Sequence, residues 1–497
     1  MPSAPRMSVS IPLPLFHVVG FSGHRQVERP ADAVAAIRKA LASLRQDGSG
    51  EWIALSSVAV GGDTLFAKEA LAMGLPWHAL LPLPQAEFRS DFSPEDWVGA
   101  EELITKAEAV RVIAENGSRE DAYLDCGMET VNECDVLLVL WDGEPARGKG
   151  GTADVIEYAR ELGKPLVLID AATFAVRREN FSAFSQADHN LTEFNKLHDA
   201  PGGLAGGPTE PAELVAIFRF QKKVDHAASR GAPQFRRLIA GTVILHVLAT
   251  LVAAAGLAFE WHVAALPWVK LLCLAAALGV ALVLRSTGAH HQWVRCRLAA
   301  EIARSALATW GLPRRAPLFE ELDIPEFRSL MRSLHVLHIR SSAVQPVSME
   351  DFKQSYLAKR VDDQLSYYRR RLAKALPQLV RLRAGFWVST ILALVCTAAY
   401  ALKLVHLPER GEQLLYYFLP ISLPVVAAAT ISLISVHDLH RRVARYREME
   451  HVLDSSRKQI AFCRTWNSLE RIVQRTEGTL IQEVLEWHSI TSFAESH

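Results

Sequence analysis

Three short loops in the N-terminal third of the chain combine glycine with hydroxyl, basic and acidic side chains. They read GFSGHR (Gly20 to Arg25), GGD (Gly61 to Asp63) and WDGEPARGKGGTAD (Trp141 to Asp154). Glycine lets the backbone turn tightly and approach a ligand, while amides, hydroxyls and guanidinium groups bind anions. These residue types therefore indicate a site for a phosphate-bearing ligand.

Each loop follows an apolar stretch whose length is typical of a buried parallel strand. Before the third loop this strand is Val136 to Trp141. After the loop a helix begins at Thr152, whose hydroxyl we expect to cap it, with Asp154 in the first turn. The helix ends near Gly163, and another strand runs from Leu166 to Ile169. This order of strand, loop, helix and strand predicts an anion site at the helix N-terminus.

The same alternation runs through the front half and predicts a Rossmann-like α/β domain with a parallel sheet covered on both faces. Loops at the carboxyl ends of such strands gather around the topological switch point, so the three loops are expected to form one pocket. The alternative is that each glycine only shortens a turn. The further predicted strands are His17 to Gly20, Trp52 to Val60, Trp77 to Leu81 and Val110 to Ala114, and the further helices are Ala31 to Leu44, Thr64 to Met73 and Leu103 to Ala109.

The side chains in these loops have distinct expected roles. Phosphate would be held by loop amides and the Thr152 hydroxyl, with Arg25 as a bidentate partner. Asp63 or Asp142 would accept hydrogen bonds from ribose hydroxyls, and Trp141 would stack on a base. The structural alternatives are turn capping, strand-end packing and surface ion pairing. The candidate ligand-binding residues are Gly20, Ser22, Gly23, His24, Arg25, Gly61, Gly62, Asp63, Trp141, Asp142, Gly150, Gly151, Thr152 and Asp154.

Composition and motif spacing argue against several other kinds of site. The 497 residues include 54 basic and 54 acidic side chains, so nucleic acid is not expected as a partner. The six cysteines form no CxxC pair, which favours reduced thiols over disulfides or a zinc site. Neither GxGxxG nor GxxxxGK[ST] occurs, which disfavours a standard dinucleotide site and NTP hydrolysis. We expect no metal and no cofactor beyond a nucleotide-type ligand.

The order of these motifs resembles that of the SLOG superfamily of Rossmann-like domains. The similarity lies in GFSGHR, GGDTLFAKEAL and VLWDGEPARGKGGTADVIEYARELGKPLV, and it covers about residues 15–170. The superfamily spans LOG phosphoribohydrolases, DprA-like proteins, nucleotide-sensing domains of bacterial conflict systems and the cytosolic domain of melastatin-type cation channels. The resemblance implies that the front domain binds a nucleotide.

The resemblance to LOG enzymes stops at the catalytic position. Their loop reads PGGxGTxxE, and its last Glu contributes to cleavage of an N-glycosidic bond. Aligning Gly151 and Thr152 with the GT of that loop puts Val155 at the Glu position, with Glu157 on another face of the helix. The leading Pro is also missing, so hydrolysis is disfavoured while phosphate and ribose binding are retained. His24 could stack on a base or act as a general base, although no nucleophile motif accompanies it.

Four apolar segments in the back half are each long enough to cross a hydrocarbon core of about 30 Å. The alternative is a set of core helices in a large soluble domain. Basic residues flank the two hairpins on their outer sides, whereas the hairpin tips hold only Arg410. By the positive-inside rule, both termini and the central segment are expected in the cytoplasm, with a bacterial inner membrane between. The segments are Leu238 to Phe259, Val263 to Leu284, Ala384 to Leu407 and Leu414 to Val436.

A two-span hairpin followed by an amphipathic helix occurs twice, and this arrangement resembles the SLATT family. Members of that family accompany nucleotide-sensing or nucleotide-synthesising components in bacterial defence. The second copy, Tyr367 to His488, resembles the family more closely than the first. The resemblance implies oligomerisation through these helices and a pore or membrane lesion on signalling. Helix bundling without a switch is the alternative.

The sequence thus predicts an α/β N-terminal domain followed by an all-α membrane domain with four transmembrane helices. We expect a membrane-anchored, homo-oligomeric sensor of a nucleotide or nucleotide-derived second messenger, acting on the lipid bilayer as an antiviral defence effector. The alternatives are a membrane-tethered nucleotide N-glycosidase of phosphoribohydrolase type and a nucleotide-modulated ion channel. The expected segments are a nucleotide-binding domain (residues 1–175), a linker and helix (176–236), hairpin 1 (237–285), a cytosolic helical region (286–383), hairpin 2 (384–436) and C-terminal cytosolic helices (437–497).

Overall fold

The chain forms two compact units, each assembled from three separate stretches of sequence. The α/β unit comprises Met1–Leu197, Gly203–Phe220 and Phe319–Gln345. The helical unit comprises the remainder: His198–Gly202, Gln221–Leu318 and Pro346–His497. The structure, a computed structural model, describes residues 12–113, 118–145, 150–182, 184, 189–200, 211–261, 263–287, 289–312, 324–342, 347–402 and 406–495.

The α/β unit contains one seven-stranded sheet. Its strands are β1 (Phe16–Gly23), β2 (Glu51–Ser56), β3 (Trp77–Leu81), β4 (Ala109–Val112), β5 (Val136–Trp141), β6 (Leu166–Asp170) and β7 (Val176–Glu179). The spatial order is β4-β3-β2-β1-β5-β6-β7, and every pairing is parallel except that of β7 with β6. The strand order reverses between β1 and β5, which makes this the topological switch point.

Helices cover the sheet, and they are the secondary structure of the helical unit within the residues that the structure describes. In chain order they are α1 (Pro30–Asp47), α2 (Gly62–Ala72), α3 (Gln85–Phe88), α4 (Pro94–Thr105), α5 (Arg119–Glu133), α6 (Thr152–Glu161), α7 (His189–Asn195), α8 (Ala212–Ala258), α9 (Leu266–Thr287), α10 (Ala289–Thr309), α11 (Arg328–Ser342), α12 (Met349–Tyr356), α13 (Asp362–Ala401), α14 (Glu409–Glu412), α15 (Leu419–Val436), α16 (Leu439–Phe462) and α17 (Trp466–Glu495). Helices α1 to α7, the start of α8, and α11 belong to the α/β unit.

The sequence located the central strands well and the strand ends less well. The strands predicted at 77–81 and 136–141 are confirmed as Trp77–Leu81 and Val136–Trp141. The predicted second strand is too long, because β2 ends at Ser56. Just beyond it the Ser57 hydroxyl accepts a hydrogen bond from the Ala59 amide at 3.2 Å, which turns the chain out of the sheet.

The region before and after β4 differs more from expectation. The helix that precedes β4 is Pro94–Thr105 rather than 103–109, and β4 is Ala109–Val112 rather than 110–114. Residue Ala114, the predicted end of that strand, lies outside the described residues. Helix α5 and the antiparallel edge strand β7 were not predicted.

The helical unit contains four helical stretches that are long and apolar enough to cross a membrane. They are Leu238–Ala258, Leu266–Val283, Met349–Ala401 and Glu409–Phe462. Their apolar side chains point largely outward; Leu272 on α9 is 67% exposed and Leu394 on α13 is 70% exposed. A helix on the surface of a soluble protein exposes polar side chains. Helices that expose apolar side chains instead suit a lipid environment.

A buried ionic network joins several helices of the helical unit. Arg360, in a π-helical turn before α13, donates to the carboxylates of Glu477 on α17 and Glu301 on α10 at 2.5 and 2.8 Å. Tyr356 and Ser305 donate to the same Glu477 carboxylate at 2.8 and 2.6 Å. Because Arg360 and Glu477 are only 3% and 0% exposed, each charge depends on the other for compensation.

We expect Arg360→Ala to destabilise the helical unit by about 3–5 kcal/mol, because it leaves the Glu477 carboxylate buried without its cation. Thermal unfolding of the full chain in detergent measures this loss. The matched control is Arg370→Ala, which removes an exposed cation from α13 and should change stability by less than about 0.5 kcal/mol. Equal effects of the two changes would contradict a stabilising role for the network.

Candidate functional site

The three glycine-containing loops meet at the carboxyl ends of β1, β2 and β5. The Gly62 amide donates to the His24 carbonyl at 2.9 Å, which joins the loop after β2 to the loop after β1. On the other side, the Asp142 amide donates to His24 Nε2 at 3.0 Å, and an Asp142 carboxylate oxygen lies 3.0 Å from the same nitrogen. His24 therefore ties together the loops on both sides of the switch point, where open α/β sheets bind ligands.

The polar side chains of this crevice differ in their access to solvent. The side chains of His24 and Asp142 are about a quarter exposed, at 25% and 26%. Arg25 is exposed, and its guanidinium lies 5.0 Å from the ring centre of Tyr123. Asp63, in the first turn of α2, is only 7% exposed. The crevice thus offers an accessible cation and an accessible carboxylate above a buried acid.

Two glycines are required by the backbone of these loops. Gly61 has a φ of +98°, and a Cβ there would lie 2.2 Å from the Arg25 carbonyl oxygen. Gly150 has a φ of +80°, and a Cβ there would lie 2.7 Å from the Leu124 amide nitrogen. No L side chain fits either position without backbone movement, so both loops depend on glycine for their path.

The helices that follow these loops begin without a capping side chain. This holds for α1, α2 and α6, whereas Ser93 and Ser118 cap α4 and α5. Gly151 occupies the N-cap position of α6, and Thr152 is the first residue of that helix, so the expectation that the Thr152 hydroxyl caps it is wrong. A helix start with no side-chain cap, at the positive end of the helix dipole, favours a bound anion.

Some of the expected phosphate-binding groups already have partners within the protein. The Gly62 amide donates to His24, and the Gly150 amide donates to the Asp154 carboxylate at 2.9 Å. A phosphate at either amide would have to displace that partner. The amide contribution therefore falls mainly to the first turn of α6, next to Gly151 and Thr152.

Three other candidates lie within β1. Gly20 is buried in the middle of the strand, and a Cβ there would lie 2.8 Å from the Cβ of Cys134. Its small size lets the residues at the end of α5 approach the sheet, which is a packing role. Ser22 is half-buried in register with Val139. Gly23 ends the strand and leads into His24.

The Trp141 side chain is fixed at the end of β5. It is half-buried, and its indole N–H donates to the Glu144 carbonyl at 2.9 Å. The Arg160 guanidinium lies 5.9 Å from the ring centre. These contacts hold the ring beside Asp142.

Sequence reasoning missed the wall of the crevice formed by α5. The Tyr123 hydroxyl donates to Asp91 at 2.5 Å, and Arg119 donates to the same carboxylate at 2.7 Å. Burial and this hydrogen bond raise the pKa of Tyr123, which stays a neutral donor. The available signal was Ser118 followed three residues later by Asp121, a helix-start pattern.

Val155, the residue that the resemblance aligns with the catalytic Glu of LOG enzymes, is part of the core. Val155 is 2% exposed, and a Cβ on Gly127 would lie 2.6 Å from its side chain. Glu157 is exposed. Among the described residues, no group of three His, Cys, Asp or Glu side chains is placed to hold a metal ion.

We expect Asp63→Asn to stabilise the protein at neutral pH. Burial raises the pKa of Asp63 well above its usual value, against smaller opposing effects of Ser57 and Arg25. Between the unfolded and the folded pKa, the unfolded chain is ionised while the folded chain holds the proton, so wild-type stability falls as the pH rises. Below about pH 4, the unfolded pKa, the variant should have no stability advantage. Above that pH its advantage in the free energy of unfolding should grow by about 1.4 kcal/mol per pH unit, and thermal unfolding at several pH values measures it. A pH-independent difference would contradict this assignment.

The comparisons with known proteins concern the back half of the chain. Residues 219–375 match SLATT_3, the SMODS and SLOG-associating 2TM effector domain 3. Residues 356–487 match SLATT_1, the SMODS and SLOG-associating 2TM effector domain 1. No match was found among curated proteins. SLATT two-span effector domains 1 and 3 are thus found in the C-terminal half of the chain, behind an N-terminal Rossmann-like α/β domain.

Proposed function

We propose that this protein is a membrane-anchored sensor of a nucleotide or nucleotide-derived second messenger, and that it acts as a defence effector. The observation that carries the proposal is the meeting of three loops at the switch point, joined through His24. These loops precede two SLATT effector domains in the chain, and the proposed effector activity belongs to those domains. SLATT domains are associated with membrane effectors in conflict systems.

The proposed ligand is recognised by charge, hydrogen bonding and stacking. Its phosphate lies at the first turn of α6, where the helix dipole favours an anion, with Arg25 as the cationic partner. The Asp142 carboxylate, which His24 holds in place, accepts from ribose hydroxyls. Trp141 at the end of β5 stacks on the base. The four groups lie on the loops after β1 and β5, so one ligand contacts both sides of the switch point.

The output is a change in the membrane hairpins. Positive charge on the outer flanks of the hairpins supports a cytoplasmic location for both termini, and hence for the α/β unit, in the compartment where nucleotides are made. Ligand binding shifts the chain toward an oligomer that perturbs the inner membrane. A shift from 1:99 to 99:1 requires the ligand to bind one state about 10⁴-fold more tightly than the other. A ligand that spans two loops can make such a distinction, because it senses their separation.

We expect Arg25→Ala to weaken binding of the signal about tenfold or more, because it removes a charge-assisted contact to phosphate. The measurement is the rise in thermal midpoint of the detergent-solubilised full chain with cyclic dinucleotides, cyclic oligonucleotides and ADP-ribose. The matched control, Lys39→Ala, removes an exposed cation from α1, away from the crevice. Binding that is equally sensitive to both changes would contradict the proposed site.

We expect no release of free base when the purified chain is incubated with the same nucleotides. The reason is that Val155 stands at the position of the LOG catalytic Glu and is buried. Liquid chromatography of the reaction mixture detects free base directly. Turnover that His24→Ala or Glu157→Gln abolishes would identify an N-glycosidase and overturn the sensor proposal.

A further inference from the structure

Helix α11 comes from between the two hairpins in sequence, yet it packs as part of the α/β unit. The helix before it, α10, and the helices after it, α12 and α13, belong to the helical unit. Helix α11 is therefore linked along the chain to helices of the other unit on both sides. The contacts of α11 decide whether it is firmly held.

One end of α11 is fixed to the amino ends of β1 and β5. Arg332 forms a salt bridge with the Asp135 carboxylate, just before β5, and donates to the Glu133 carbonyl at 2.7 Å. Ser333 donates to the Pro14 carbonyl, just before β1, at 2.6 Å. Burial would raise the pKa of Asp135, but Arg332 and His17 outweigh it and keep that pKa below its usual range.

The other end of α11 is fixed by a second arginine. Arg340 donates two hydrogen bonds to Glu51, at the start of β2, at 2.5 and 2.9 Å. It also donates to Glu108, just before β4, at 2.7 Å, and lies 4.9 Å from the Phe16 ring centre. Together with the Arg332 and Ser333 bonds, these contacts join α11 to four strands of the sheet, β1, β2, β4 and β5, at their amino ends.

Apolar contacts complete the docking. Leu330 and Leu334 of α11 are each 1% exposed. Phe327, just before the helix, is fully buried and stacks on Phe194 of α7 with ring centres 5.9 Å apart. The helix is therefore held by packing as well as by charge.

The elements that touch α11 at one end line the candidate crevice at the other. β1 follows Pro14 and leads to His24, and β5 follows Asp135 and leads to Asp142. The eight residues of β1 span about 26 Å at about 3.3 Å per residue. Helix α5 likewise runs from Tyr123 at the crevice to Glu133 beside Arg332. Three elements thus connect the crevice directly to the docked helix.

We propose that α11 is a strap through which the α/β unit restrains the two membrane hairpins. In the docked state, α11 fixes the chain between α10 and α13. A change in the relative position of β1 and β5 shifts the strap and releases this restraint. The proposal deepens the function proposed above, since it names the path by which ligand binding in the crevice reaches the membrane domains.

The test is hydrogen–deuterium exchange of the full chain in nanodiscs, without ligand. Arg340→Glu repels Glu51 and Glu108, and we expect amides of α11 to exchange about tenfold faster. Amides of the cytosolic ends of α10 and α13 should exchange faster as well. The charge swap Glu51→Arg with Arg340→Glu should restore most of the protection. Lys39→Glu, which reverses an exposed charge on α1, is the control.

Faster exchange confined to the α/β unit, or no recovery in the charge swap, would overturn the strap. If Arg340→Glu does not fold, as judged by circular dichroism, Arg340→Gln provides the same comparison with a milder change. This experiment needs neither ligand nor membrane activity. If exchange in α10 and α13 responds to Arg340→Glu but none of the nucleotides tested above binds, the proposed role of α11 is supported and the proposed sensing function is contradicted. Binding without coupled exchange would do the reverse.

Discussion

The reversal of strand order between β1 and β5 is the constraint on which the rest of the α/β unit depends. Because the connections from these strands leave in opposite directions, a space opens at their carboxyl ends. His24 crosses that space, with its carbonyl bonded to the Gly62 amide and its ring to Asp142. The loops can approach this closely only because Gly61 and Gly150 have backbone angles that other residues rarely adopt.

Much of this arrangement could be predicted, because it depends on local patterns. The short apolar run Val136–Trp141 is typical of a buried strand, and the order of strands and helices then places the glycine loops at one edge. The role of Gly20 could not be predicted, because it depends on Cys134, more than a hundred residues away. The docking of α11 could not be predicted either, since the periodicity of a helix indicates its apolar face but not the surface against which that face packs.

Buried charge appears at the points where distant stretches of chain come together. In the α/β unit, Asp135 pairs with Arg332, and in the helical unit, Arg360 pairs with Glu477. Such pairs contribute little net stability compared with apolar packing, but removing one partner costs about 3–5 kcal/mol. They therefore act against alternative arrangements, in which one charge would be buried alone. Each unit is built from three separate stretches of chain. The buried pairs therefore favour the native arrangement of those stretches over arrangements that leave a charge unpaired.

The boundaries of the matched domains and of the compact units differ, and the difference bears on function. The SLATT_3 match, residues 219–375, includes α11, yet α11 completes the α/β unit. The front domain is thus not an independent module attached to a membrane effector. A fragment that stops before the first hairpin lacks Arg332 and leaves the Asp135 carboxylate buried without its cation. The α/β unit needs a segment of the effector region in order to fold completely. The contacts at the amino ends of β1 and β5 therefore join the front domain to a segment of the region that matches SLATT_3.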